Sequence, residues 1–438
     1  HITDNIRAKE KEIVMKSMRE ENYLSVLNRE LIPALGCTEP VAIAYAAAKA
    51  RSVLGQFPER MVIRCSGNII KNVKGVTVPN SNGLRGVDVA AVLGVVGGDA
   101  ERELEVLEGI TPAHIKKTKE LLAANFCRCE HQREVENLYI SAAVFAGEHF
   151  AEVTMINRHT LITKIVHDGE ILYSRELSEE SGRVDWALWS VKDILVFAEE
   201  VDIAKVQNIL DRQIEMNTRV SKEGLSKNYG AQVGKTLLEI YGDNLETRAR
   251  AKAAAGSDAR MGGCSMPVVI NSGSGNQGIT ITLPIVEYAM EWKVPKETLY
   301  RALLIGNLIS IYQKHFIGNL SAFCGAVTAS SGVGAAITYM AGGGYEKISQ
   351  TITNIAGNVG GIVCDGAKAS CAAKIASAVD AAILGHRLSM KGLGFHAGEG
   401  IVQKDVDETI RSIGYVGCVG MKQTDVEILK IMLDKVDL

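Results

Sequence analysis

"FAEVTMINRHTLITKIVHDGEILYSR", residues 150–175, holds three runs rich in β-branched and aromatic residues: "FAEVTMI", "LITKIV" and "EILYSR". Asp168-Gly169 separates the last two, and this pair tolerates the positive φ angles that a two-residue hairpin turn demands. The stretch decides the fold because the chain farther out reads differently. Just upstream, "RMVIRC" from Arg60 and "GVTVP" from Gly75 have the texture of short strands, while "GVDVAAVLGVVGG" and "TPAHIKKTKELLAAN" read as helices. In the second of these, Thr111 is the N-cap and Pro112 the first helical residue. Beyond that neighbourhood the period is helical. Residues Ile6 to Gly55 read as helix, with Pro40 admissible in the first turn of the Ala-rich "VAIAYAAAKARSVLG". Helical patterning returns after about residue 181, in "VDWALWSVKDILVFAEEV", "KETLYRALLIGNLISIYQK" and "TDVEILKIMLDKV". Chain order therefore predicts an α+β protein. A mostly helical catalytic domain is built from both ends, residues 1–58 and 177–438, and a smaller α/β domain, residues 59–176, is inserted between them.

Composition narrows the function classes. A length of 438 residues exceeds one ordinary core and suits two domains. With 47% apolar residues, 23% charged residues and a net charge of -3, the chain is globular and lacks the basic surface that nucleic acid requires. A small-molecule partner is the expectation. The nine cysteines are odd in number and scattered, which argues against a disulfide framework and for a reducing cytoplasm. Glycine is the anomaly, at 43 residues. Much of it lies in tracts without Asp, Glu, Lys or Arg, from Met261 to Val286, His315 to Tyr345 and Thr351 to Val363. Pro267, Pro284, Asn271, Asn276 and Gln277 interrupt them too often for a membrane span. Buried helices approaching closely over Gly, Ala and Ser are the alternative. A homodimer is the expected assembly only because symmetric dimers are common.

The third tract runs into "GGIVCDGAKASCAAK", residues 360–374, with cysteines at 364 and 371. On one continuous helix their α-carbons would stand ~10 Å apart, too far for easy sharing of a small metal centre. The chain is therefore expected to bend, with Gly360-Gly361 ending one helix, Asp365-Gly366 turning, and a new helix starting near Ala367. Cys371 then lies in the first turns, where free N–H groups and the helix dipole favour thiolate. Cys324, in "NLSAFCGAVTASSG", offers a third thiol among small residues. Three cysteines without a local fourth would leave one iron of a 4Fe-4S cluster open to substrate. Free cysteine is also a common small core residue, so spacing leaves both readings open.

Four other constellations carry chemistry. In "GCTEP", Cys37 sits at a loop-to-helix transition with Glu39 as a nearby acid or base. In "CRCEH", Cys127, Cys129 and His131 could offer zinc ligands, but no second cluster of matching spacing exists. "NSGSGNQG", from Asn271 to Gly278, is a polar loop whose N–H groups, hydroxyls and amides suit a carboxylate; no Lys follows to make it a phosphate loop. "CSGNIIKN", with Ser66, Asn68 and Lys71, and "VPNSNG", with Asn80 and Ser81, are comparable smaller pieces.

Together, "GCTEP", "CSGNIIKN", "VTVPNSN", "MGGCSMPVVINSGSGNQG", "SAFCGAVTASSG" and "CDGAKASCAAK" resemble the L-cysteine desulfidase family, serine dehydratase-like proteins of bacteria and archaea. The C-terminal half is similar, more distantly, to the alpha domain of iron-sulfur L-serine dehydratases, though the interval before Cys371 is shorter here and residues 59–176 do not match those enzymes' beta domain. The resemblance implies a 4Fe-4S cluster on Cys324, Cys364 and Cys371 and no pyridoxal phosphate. It implies β-elimination of L-cysteine to sulfide, pyruvate and ammonia. The carboxylate would sit at the loop formed by Asn271, Ser272, Gly273, Ser274, Gly275, Asn276 and Gln277, with Ser66 and Asn68 as further binding candidates. Cys37, Glu39, Lys71 and a cluster sulfide are alternative bases, the Cys37 loop being preferred. L-serine dehydration, a metal-free lyase or racemase using Cys37, and a non-catalytic relative are the competing expectations.

Overall fold

The computed structural model describes residues 2–177, 184–318 and 320–433. Eight strands are present among them: β1 (Pro33–Leu35), β2 (Arg60–Cys65), β3 (Cys127–His131), β4 (Tyr139–Ala146), β5 (His149–Ile156), β6 (Ile162–His167), β7 (Glu170–Ser174) and β8 (Pro267–Val269). The larger sheet has the order β3-β2-β4-β5-β6-β7, parallel only between β2 and β3. Asp168 and Gly169 turn from β6 into β7 with φ of 50° and 86°, and His167 pairs with Glu170, as the sequence leads one to expect. The fold is α+β, mostly helical, with this sheet between helical chain ends.

Two local readings need correction, and one strand carries no signal in the sequence. "GVTVP" carries only the isolated bridge Thr77–Arg85; Val76 and Val78 are buried, but Pro79 and the positive φ of Asn80 and Asn82 turn the chain before a strand can extend. The central strand β4, "YISAAVFA", is a continuous buried run without the alternation that flags a strand. The first segment is not one helix: it breaks between Glu30 and Thr38, where Pro33 begins β1 and Gly36 takes φ +63. A β-carbon on Gly36 would lie 2.2 Å from Pro79 Cγ. At the other end, "TDVEILKIMLDKV" falls in a helix Lys422–Met432, and its last residues lie outside the described ones.

Helix Thr38–Leu54 precedes the expected boundary at residue 58, yet it packs on β4 and β5 and against helix Val87–Gly97. The C-terminal part is a bundle that includes Leu245–Met261, Gly275–Glu291, Lys296–Ile317, Gly325–Met340 and Cys371–Met390. Its uncharged tracts are interior helices that approach over small residues. Where Lys296–Ile317 crosses Gly325–Met340, a β-carbon on Gly332 would lie 2.2 Å from the carbonyl oxygen of Gly306. That crossing fixes how the last turn of the first helix faces the start of the second. Gly332→Ala is therefore expected to lower stability by about 1–3 kcal/mol. The denaturant midpoint would show it, with Gly109→Ala, which meets nothing within 4 Å, as the control. Among the described residues no helix is long and apolar enough to cross a membrane.

Candidate active site

The two-stranded ladder of β1 and β8 sets "GCTEP" beside "NSGSGNQG". In the latter, Ser272 and Gly273 turn with φ of 50° and 76°, closed by reciprocal backbone bonds between Asn271 and Ser274, both 3.0 Å. The Thr38 hydroxyl donates to the Gly273 carbonyl at 2.8 Å, locking the two loops together. A second junction, the bridge Phe323–Val363, joins two of the cysteine segments. Cys324 N donates to Ile362 O (2.9 Å) and Cys364 N to Ala322 O (2.6 Å). Asp365 ties the following loop through Lys368 and Lys374, and the Cys371 thiol donates to Gly366 O at 3.5 Å. The expected bend is present, but the helix begins at Cys371 itself rather than near Ala367.

All of this closes around one inner cavity of about 110 Å³. Its walls include Cys37, Thr38, Glu39, Cys324, Cys364, Cys371, Arg260, Lys314, His159 and residues 272–277. Four helices begin on that wall, at Thr38, Gly275, Gly325 and Cys371, and in three of them the N-cap side chain does not bond the helix start. Free N–H groups and the positive ends of four dipoles favour an anionic occupant. The volume lies below the range for drug-sized ligands and restricts the occupant to a small molecule. An outer cavity of about 500 Å³ shares His159, Ser272, Gly273 and Lys314 with it, so these residues form a neck.

The protonation pattern differs from the sequence expectation. Cys37 is 3% exposed, and burial and the Glu39 carboxylate push its thiol well above the ordinary range, opposed by the Arg260 guanidinium. The helix start does not by itself yield a thiolate there. The proton of the pair rests on sulfur, which donates to Glu39 Oε2 at 3.0 Å. Burial raises Glu39, yet His159, whose Nε2 lies 3.4 Å from Oε1, and the Cys37 thiol outweigh it and bring the carboxyl down to about 2. Cys324 is pushed up to about 12, chiefly by burial and then by Cys364 and Cys371. Burial likewise raises Cys371. Cys324 and Cys371 both feel Cys364, as groups around one cavity do.

Not every candidate lies here. Asn271 is fully buried and its amide donates to the Asn307 side chain at 3.1 Å, so it braces the loop whose tip the next residues form. Ser66, Asn68 and Lys71 line a separate cavity of about 450 Å³, with residues 131–137 and the C-terminal helix. Lys71 pairs with Asp425 and donates to the Cys364 carbonyl at 3.3 Å, touching the cysteine loop from behind. Asn80 and Ser81 bond the Leu107 and Leu84 carbonyls and brace their own turn. Cys127, Cys129 and His131 lie on β3, and among the described residues no group of three or more His, Cys, Asp or Glu is arranged to hold a single metal ion. The residues that could hold a larger metal-sulfur group are Cys324, Cys364 and Cys371, each free.

Sequence reasoning missed Arg260, Lys314 and His159. Arg260, 2% exposed, donates to Asn276 Oδ1 at 2.8 Å and to Gly36 O. One signal was available: Arg260 and Lys314 are the charged residues that immediately precede the uncharged tracts at Met261 and His315. For His159, in the loop between β5 and β6, no sequence signal stands out.

An α+β fold with thiols, an ionised carboxylate and four helix starts around one small cavity is the class of protein observed. The family model described as "Serine dehydratase alpha chain" matches residues 101–430, and the chain belongs to that family. Its relatives include UPF0597 proteins of Lachnoclostridium phytofermentans (51% identical, covering 94% of this chain and 100% of the relative), Finegoldia magna (48%; 95% and 100%) and Treponema denticola (45%; 95% and 98%).

Proposed function

We propose that the protein is an iron-sulfur-dependent L-cysteine desulfidase that cleaves L-cysteine by β-elimination to sulfide, pyruvate and ammonia. The observation that carries the reading is the sharing of one small cavity by Cys324, Cys364, Cys371, the Cys37–Glu39 pair and the Ser272–Gln277 loop. The donor set fits a 4Fe-4S cluster. Three thiols on separate segments around a cavity suit separate irons, and the four helix starts favour its negative charge. When bound, the cluster supplies an open iron that acts as Lewis acid toward the departing sulfur.

The remaining chemistry falls to the chain. The Ser272–Gln277 loop and the helix start at Gly275 hold the amino acid so that its α-hydrogen faces Cys37. Cys37 first passes its thiol proton to Glu39 Oε2, giving a sulfur anion that the Arg260 guanidinium favours, and that sulfur then takes the α-proton. The electron pair of the broken Cα–H bond forms the Cα=Cβ bond, and the pair of the broken Cβ–S bond leaves with sulfur. Aminoacrylate remains and hydrolyses to pyruvate and ammonia. His159, on the other oxygen of Glu39 and in the neck, gives the proton a path toward the outer cavity. Lys71 serves here as a strut for the Cys364 loop rather than as the base. No pyridoxal phosphate is called for, and free thiols beside a cluster suit a reducing cytoplasm.

The family description favours one second reading, L-serine dehydration at the same site. Anaerobically reconstituted protein distinguishes them: sulfide release from L-cysteine should exceed pyruvate release from L-serine by about tenfold or more in kcat/KM, roughly 1.4 kcal/mol of transition-state preference. The reverse order would favour dehydration, and full activity in iron-stripped protein would favour a metal-free lyase.

A further inference from the structure

We propose that Lys314 anchors the α-carboxylate of the substrate at the neck between the two cavities. This rests on the amino-acid reading above and adds which end of the molecule sits where. Lys314 lies in the last turn of helix Lys296–Ile317, is 5% exposed, and lines both cavities. Among the described residues its ammonium has no hydrogen-bond acceptor and no carboxylate within 4 Å. The residue is buried while its ammonium opens to the cavity, and a charge so far withdrawn from water with no protein counter-charge is unfavourable unless something in the cavity supplies one.

The other groups on the wall leave this role to Lys314. The Arg260 guanidinium already donates to Gly36 O and Asn276 Oδ1. The Glu39 carboxylate already faces Cys37, Thr38 and His159. Lys314 shares the lining of the neck with His159, whose Nε2 lacks a well-aligned hydrogen bond, and with the Ser272-Gly273 turn one residue before the N-cap Ser274, while Cys364, Cys324 and Glu39 are the acidic groups that act on it from the inner wall. An ammonium opposite the start of a helix is an arrangement for a carboxylate, held from both sides. With that end in the neck, the substrate side chain points inward to the thiols.

The alternative role for Lys314 is to balance the charge of Cys324 and Cys364, and the experiment separates the two. Lys314→Met and Lys314→Arg are compared with wild type by calorimetry, using L-alanine and L-alaninamide, which bear no leaving group and cannot be eliminated. Alongside are measured iron content, KM and kcat for L-cysteine, and the Tm of cluster-free protein. Lys314→Met should weaken L-alanine binding and raise KM by about 10- to 100-fold, the loss of one charged hydrogen bond. It should leave alaninamide binding, iron content and kcat near wild type, and raise Tm, because an unpaired buried charge is gone. Lys314→Arg should restore most of the affinity. Loss of iron, equal weakening of both ligands, a fall in Tm, or no binding of L-alanine to wild type would each overturn the anchor. Lys314-dependent binding of L-alanine without turnover of cysteine would instead sink only the desulfidase reading.

Discussion

Cys324→Ala, Cys364→Ala and Cys371→Ala should each lose iron and the visible charge-transfer absorption, and each should lower β-elimination by at least about a thousandfold, some 4 kcal/mol of transition-state stabilisation. The expectation follows from their placement. Cys324 and Cys364 are fixed by two backbone bonds across the Phe323–Val363 bridge, and Cys371 opens a helix on the same wall. Each is partly exposed on the cavity wall, so truncation to Ala enlarges an existing cavity rather than opening one in the core, and folding should survive. Cys129→Ala and Cys418→Ala, exposed and away from that wall, are the controls and should keep iron and activity. Unchanged spectra in all three site variants would remove the basis for the mechanism.

Glu39→Gln carries the second large effect. The amide keeps the shape of the side chain but no longer takes the Cys37 proton, so kcat should fall by about 10²- to 10⁴-fold, the usual worth of a positioned acid-base group. Iron content should be unchanged, which separates this variant from the cysteine series. The same residue predicts a pH dependence. Its carboxyl is held down to about 2 by His159 and Cys37 against the effect of burial. A depressed pKa stabilises the fold above the ordinary carboxylate range, and that contribution is lost as pH falls toward 2. Denaturant midpoints of cluster-free wild type should therefore drop between about pH 5 and pH 3, near the ordinary carboxylate range. The Glu39→Gln protein should show a smaller drop. Equal acid sensitivity would mean that Glu39 is not the ionised centre of this network.

The parts of the molecule legible in the sequence are those governed by local rules. Asp168-Gly169 announced its hairpin because few other pairs accept two positive φ angles, and the uncharged glycine tracts announced close interior packing, realised at Gly306 and Gly332. Cys324, Cys364 and Cys371, which line one cavity, are grouped by the family resemblance, whereas their spacing leaves ligand and core roles both open. What local rules could not convey was direction. "CSGNIIKN" looks like a binding loop, yet its Lys71 reaches Cys364 from the far side, because helix Gly67–Lys74 packs behind the cysteine loop. Asn271 looks like a ligand donor but is drawn inward by Asn307, which lies 36 residues away in sequence. Cys37 sits at a helix start, as expected, but the carboxylate two residues on and full burial reverse the protonation that the helix start favours. Arg260, Lys314 and His159 arrive from three separate elements, and only the tertiary packing shows that they meet.

The proposed elimination depends on thiolates that would grip an iron-sulfur group, so the most direct test is the iron and acid-labile sulfide content of wild-type protein purified and reconstituted without oxygen. The expected result is about four irons and four sulfides per chain, the stoichiometry of one cubane cluster. Cysteine-cleaving activity should rise in step with that content. Catalytically competent protein with no acid-labile sulfide would contradict the account.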